Sequence, residues 1–263
     1  MTNLLDSRKA ANSDTPDIPP EQSCSAYGFL ETCIPEKDSC RRRFLQLAVG
    51  GTLAGLVTAA GVEFATPHPV LAQSKLSPDA ALQELMDGNR RFTSGRLTAP
   101  EQDLAILKQN TIEKQEPFAA LLSCADSRVP VEMVFDQSIG HIFVTRVAGN
   151  VVTPEIIASL EYGAAVLGTK VILVMGHGSC GAVKASIQAK EVPGQISALY
   201  SHIQPAVDQA GPNLEAATKA NAKIQAALLR EASTVISSLA KEGKLKVVAG
   251  YYDIASGAAS LLD

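Results

Sequence analysis

KVILVMGHGSCGAVKASI, residues 170–187, decides the fold. Val171 to Met175 is an unbroken apolar run of strand length; Gly176, Gly178 and Gly181 come next as punctuation, and a helical pattern takes over after Cys180. A strand without polar alternation is one covered on both faces, which is the habit of parallel sheets. His177 and Cys180 stand three apart in the turn, a spacing that brings both side chains to one side where a chain tightens into a helix.

A second stretch repeats the plan. FAALLSCADSR, residues 118–128, is an apolar run that ends in Cys124, Asp126 and Arg128. Read as a continuing strand, positions i, i+2 and i+4 share a face, so thiol, carboxylate and guanidinium are expected to project together. The two stretches supply two thiols, one imidazole and one carboxylate, the donors of a tetrahedral zinc site. A lone Cys at a strand end is an ordinary small hydrophobe. The joint occurrence of both pieces at strand ends is what points to a metal, with a Cys124–Cys180 disulfide of a thiol oxidoreductase as the rival reading.

The rest of the chain alternates in the same way. HIFVTRV (141–147) and KLKVVAGYYD (244–253) are further strand-like runs. DAALQELMDGNRRF (79–92) carries the apolar stripe of an amphipathic helix, with Ser77-Pro78 as its start. Further helical patterns cover 154–168, 180–190 and one long segment, 213–243. Strands alternating with helices give an α/β fold, a mostly parallel central β-sheet flanked by helices. In such sheets ligands bind at the carboxyl ends of strands, where both motifs fall. Met133 and Phe135 read as core, His141 and His202 as solvated or capping, and Tyr251 and Tyr252 as the two faces of a strand. Gly178 and Gly181 read as turn glycines, with the positive end of the following helix directed at Cys180.

With these residues in place, the chain resembles the β-class carbonic anhydrases, whose hallmarks are CxDxR followed by HxxC. The likeness extends through residues 123–150, 159–183 and 247–257 in the family's order. It implies Cys124, His177 and Cys180 as ligands of one Zn2+ per chain, and Asp126 and Arg128 as a paired dyad beside it. Asp126 is also implied as a conditional fourth ligand. Gln115, Phe143 and Tyr162 are implied as substrate-pocket positions. The activity implied is reversible hydration of carbon dioxide to bicarbonate and a proton by hydroxide on zinc. Carbonyl sulfide or carbon disulfide hydrolysis on the same scaffold and a non-catalytic zinc protein are the alternatives. The family also implies a homodimer or tetramer, with the helix at 79–93 packed on a neighbouring subunit. Two departures stand out: RVAGN where the family has RNAGN, and Gly178 where Ser or Thr is common.

Residues 1–72 read differently. CRRRFLQ (40–46) opens a stretch with no charge from Phe44 to Val62, and VLAQ closes the segment at 70–73. A basic start, a Gly/Ala-rich apolar run and small residues at Val70 and Ala72 make an export signal cleaved after Ala72, and the arginine pair before FLQ gives it twin-arginine character. The rival is an uncleaved membrane anchor. The expected destination is the periplasm or another extracytoplasmic compartment, with membrane contact only through this segment. Three of the five cysteines (24, 33 and 40) lie within it, so residues 73–263 keep only the two candidate ligands. That portion, 191 residues, suits one domain. It holds 17 Lys and Arg against 19 Asp and Glu. A balance so close to neutral gives no basic surface for nucleic acid or anionic lipid.

Overall fold

The computed structural model describes residues 74–99 and 114–262. Helix α1 (Pro78–Thr93) precedes strand β1 (Ala119–Ser123), a single turn of helix α2 (Val131–Val134), and strand β2 (Ile142–Arg146). Helix α3 (Pro154–Glu161) leads through a π turn (Tyr162–Val166) to strand β3 (Val171–His177). Helices α4 (Gly181–Gln188), α5 (Tyr200–Ala210), α6 (Leu214–Ala232) and α7 (Thr234–Lys241) then precede strands β4 (Lys246–Tyr252) and β5 (Ala259–Leu262). The sheet order is β2-β1-β3-β4-β5, parallel except for the last pair. The export segment expected at 1–72 lies outside the described residues. Among the described residues no helix is long and apolar enough to cross a membrane.

Every residue of β1 and β3 is buried, as their unbroken apolar sequence requires. The strand period of two sends alternate residues to opposite cores. Ala120, Leu122, Ile172 and Val174 face Ala222, Ala226 and Leu229 of α6, Ile236 of α7 and Leu160 of α3. Ala119, Leu121, Val171, Leu173 and Met175 face Ala81 and Leu85 of α1 with Val131, Val134 and Phe135. β2 lies on one side of β1 and β3 on the other, so the chain changes winding direction at β1. The crevice beyond the carboxyl ends of β1 and β3 is therefore the expected ligand position of an open α/β sheet.

Several expectations need correction. The helical pattern at 213–243 is two helices, because Ser233 is extended (φ −103°, ψ 114°). Its hydroxyl accepts from the Ile236 amide, capping α7, and donates to Glu161. Met133 is 52% exposed: in so short a helix Val131 and Val134, three apart, take the inner face and turn Met133 outward. The stripe of α1 is spent within its own chain. Ala81 and Leu85 are fully buried on the sheet, and Asn89 donates to Val134 O and Gly257 O while accepting from the Ala259 amide.

Candidate metal centre

β1 ends at Ser123, so Cys124, Asp126 and Arg128 do not share a face through the strand pleat. They are gathered by a turn instead, with the Val129 amide donating to Asp126 O at 3.1 Å. Within that turn Arg128 folds back on Asp126: Nε donates to Oδ1 at 2.9 Å, Nη2 to Oδ2 at 2.8 Å, and the Arg128 amide to Oδ1 at 3.0 Å. Such a fork-to-fork pair is geometrically specific. These bonds hold the Asp126 carboxyl well below the usual carboxylate range, against the opposing effect of burial.

His177 closes β3 and Cys180 begins the turn into α4. The residue between them that adopts the left-handed region is Ser179 (φ 55°), not a glycine. Gly178 answers to crowding: a Cβ there would stand 3.2 Å from the Tyr251 hydroxyl, so Tyr251 takes the room that Ser or Thr would need. Nothing lies near a Cβ built on Gly181. Arg128 Nη2 also donates to Ser179 O at 3.2 Å, tying the two turns together.

The ligand atoms of Cys124, His177 and Cys180 all lie within 4.8 Å of one another, and all three residues are buried. A tetrahedral ion with bonds of about 2.0–2.3 Å separates its ligand atoms by roughly 3.5–3.8 Å, so a contraction of at most about 1.3 Å closes the set. His177 Nδ1 lies 2.9 Å from Gly178 O. A carbonyl only accepts, so Nδ1 carries the hydrogen and Nε2 keeps its lone pair. Nε2 is buried without a hydrogen-bond partner. A buried nitrogen left so is costly, and a cation beside two thiols removes that cost.

The thiols differ. A hydrogen bond from Cys180 pulls Cys124 down to about 4, over the opposition of burial, with help from His177 and the Gly149 amide. Gly149 N stands 3.3 Å from Cys124 Sγ. Cys180 is pushed up by the same partnership and by burial, with the amides of Val183 and Ala182 at the start of α4 opposing the rise. The donor set and its surroundings fit zinc. Asp126 stands apart, its Oδ2 3.9 Å from His177 Nε2 and its oxygens committed to Arg128.

The pocket positions fall elsewhere in the chain. Phe143 pairs with Ala120 on the edge strand β2, about 10 Å along the strand from the carboxyl end. Its ring lies 6.2 Å from that of Tyr162, at an angle of 47°. Gln115 is exposed and precedes β1, at the end opposite Cys124. Arg146 was not singled out by the sequence, yet its Nε donates to Cys124 O at 3.0 Å and its Nη2 to Asp126 O at 2.6 Å. Its place at the end of HIFVTR was the available signal. Val147, the departure from RNAGN, packs between two of the apolar clusters.

Known proteins are similar to this chain in sequence and in fold. The carbonic anhydrase family model matches residues 119–259. A carbonic anhydrase of Mycolicibacterium smegmatis is 39% identical over 50% of this chain and 65% of its own length. Carbonic anhydrase 2 of Mycobacterium tuberculosis is 32% identical over 71% of this chain and 94% of its own. A solved tetrameric β-carbonic anhydrase of Sordaria macrospora superposes with a TM-score of 0.55, at 21% identity, over 69% of this chain and 96% of its own. The chain belongs to the β-carbonic anhydrase family.

Proposed function

We propose that the protein binds one Zn2+ through Cys124, His177 and Cys180 and catalyses the reversible hydration of carbon dioxide to bicarbonate and a proton. The observation that carries this is the buried, unpartnered His177 Nε2 facing two buried thiols, with the Asp126–Arg128 pair beside it. Zinc, when bound, supplies a Lewis acid able to lower the pKa of a water to about 7.

The chain's own residues do the rest. Asp126, kept ionised by Arg128, is an acceptor only, and so it orients an oxygen nucleophile that still carries a hydrogen. Arg128 holds that carboxylate away from His177, with Ser179 O as a second anchor. Release of Arg128 would let Asp126 turn toward the metal position and close it. The Gly149 amide and the start of α4 disperse negative charge on Cys124 and Cys180.

Zinc content measured beside carbon dioxide hydration tests the reading. Wild type is expected to hold one zinc and hydrate carbon dioxide, and Asp126→Ala to keep zinc while losing activity. Zinc-loaded Asp126→Ala with wild-type activity refutes the dyad's role, and a zinc-loaded wild type that turns over only carbonyl sulfide or carbon disulfide refutes the substrate.

We further propose that residues 1–72 are a twin-arginine signal that sends the domain to the periplasm and is cleaved after Ala72. Lys in place of Arg42 and Arg43 is expected to hold the precursor inside; a mature amino terminus other than Gln73 refutes the cleavage site. The assembly is proposed as a homodimer or tetramer. Because Phe143, Tyr162 and Gln115 lie away from the chain's own ligands, a pocket role for them requires a second copy. Light scattering that gives a monomeric mass refutes both.

A further inference from the structure

Helix α6 packs on the sheet with an Ala-rich face, yet Thr218, Asn221 and Gln225 on that same helix are each no more than 1% exposed. Thr218 satisfies its hydroxyl on its own helix, at Leu214 O. The other two spend their hydrogen bonds beyond the helix, and largely on one short piece of backbone. Asn221 Nδ2 donates to Gly149 O at 2.8 Å. Gln225 Oε1 accepts from the Val152 amide at 2.7 Å. Gln225 Nε2 braces the arrangement, reaching Asn221 Oδ1 at 3.3 Å and His202 O on α5 at 3.0 Å.

The backbone so gripped is unusual. Gly149 (φ 76°) and Asn150 (φ 45°) are consecutive residues in the left-handed region, a conformation that costs a non-glycine residue free energy and persists only when its surroundings enforce it. A Cβ on Gly149 would come within 2.8 Å of Ile203 Cδ1, so the turn is also closed against side chains. Asn221 and Gln225 hold it on both flanks. Gly149 has one amide hydrogen and one carbonyl: the carbonyl is bound by Asn221 and the amide points at Cys124 Sγ.

We propose that Asn221 and Gln225 are positioning residues that act through the Gly149–Asn150 turn to aim the Gly149 amide at the Cys124 sulfur, and thereby tune that sulfur as a metal ligand. The metal part rests on the zinc reading above. Core polar groups that merely satisfied a buried loop would need no partner on the residue that touches a ligand. Here the same glycine carries both bonds, so a shift of its carbonyl plane reaches its amide through only two dihedral angles.

The test uses the full chain loaded with Co2+, whose sulfur-to-cobalt absorption reports on the thiolates, together with the rate at which a chelator strips the metal. Outer hydrogen bonds of this kind typically change metal affinity about 10–100-fold. Asn221→Leu is expected to shift the band and speed metal loss about 10-fold, the low end of that range. Gln225→Met is expected to act in the same direction with a smaller effect. Ser233→Ala, which removes the side-chain cap of α7 just past the end of α6 but touches neither Asn221 nor Gln225, is expected to lower thermal stability with neither change. Hydrogen exchange of the Gly149 amide in the metal-free chain is expected to quicken in the first two variants and not in the third. If Asn221→Leu does not fold, Gln225→Met carries both measurements. Wild-type spectra, chelation rates and Gly149 exchange in the folded variants overturn the proposal. Failure of the wild type to take up metal overturns the zinc reading instead, and Gly149 exchange alone then decides whether the turn is held as described.

Discussion

Asp126 and Asp136 are ten residues apart, both paired with arginine, and both below the ordinary carboxylate range, yet they serve opposite ends. Asp136 is buried, and its oxygens are filled by Arg91 Nε (2.5 Å), the Thr98 amide (2.8 Å), the Thr98 hydroxyl (2.9 Å) and the Ala99 amide (2.9 Å). Burial pushes its pKa up, and that set of donors outweighs it. Asp126 takes all its bonds from Arg128 and keeps one oxygen 3.9 Å from an unpartnered histidine nitrogen. What separates structure from chemistry here is spare accepting capacity, since both carboxylates are charged. A saturated carboxylate holds a loop, and one with a single, releasable partner is available to a reactant.

The sharpest break of this contrast is removal of each side chain. Asp136→Ala strands two backbone amides and an arginine, and is expected to cost about 3 kcal/mol of stability in denaturant unfolding, with activity per folded molecule unchanged. Asp126→Ala is expected to do the reverse: about a 100-fold fall in carbon dioxide hydration, near 2.7 kcal/mol of barrier, with a smaller loss of stability than Asp136→Ala. Equal losses of stability in both would erase the distinction.

Arg128→Lys keeps the charge and loses the fork, and is expected to lower hydration activity roughly 10-fold in a stopped-flow assay. The acid limb of stability tests both carboxylates. A carboxyl depressed in the folded state contributes stability above its unfolded pKa of about 3.9, and that contribution is lost as pH falls through the lower folded value. Asp136→Asn and Asp126→Asn should therefore each flatten the dependence of unfolding free energy on pH below about 4. Smallest of all, Met133→Ala on the exposed side of α2 should move stability by no more than about 0.5 kcal/mol.

Most of the sheet was legible because apolar runs of strand length, bounded by Gly and polar residues, carry their own boundaries. The four parallel strands match the segments read from sequence, except that β3 runs further, through His177. β5 was not, since ASLL has four residues and depends on pairing with β4 across a turn. The two ligand turns were legible as chemistry but not as geometry: the types of Cys124, Asp126 and Arg128 announce a site, but whether a chain stays extended past Ser123 is settled by its turn hydrogen bonds. The break at Ser233 depends on Glu161, 72 residues away, and no local pattern contains it. Asn221 and Gln225 were hidden for a related reason. In a helix as rich in Ala as α6, polar residues on the buried face look like solvent positions until the Gly149 turn arrives to meet them.

The Asn89 side chain binds Gly257 O and the Ala259 amide, joining helix α1 to residues 168 and 170 positions further along the chain. Contacts of such long sequence separation form late, since the intervening chain must first be closed. A growing polypeptide therefore assembles β1 and β3, which end at the two ligand turns, before α1 gains its anchor at the far end. Helix α1 can therefore be clasped only once residues 257–259 have left the ribosome, by which time the strands that carry both ligand turns are already made.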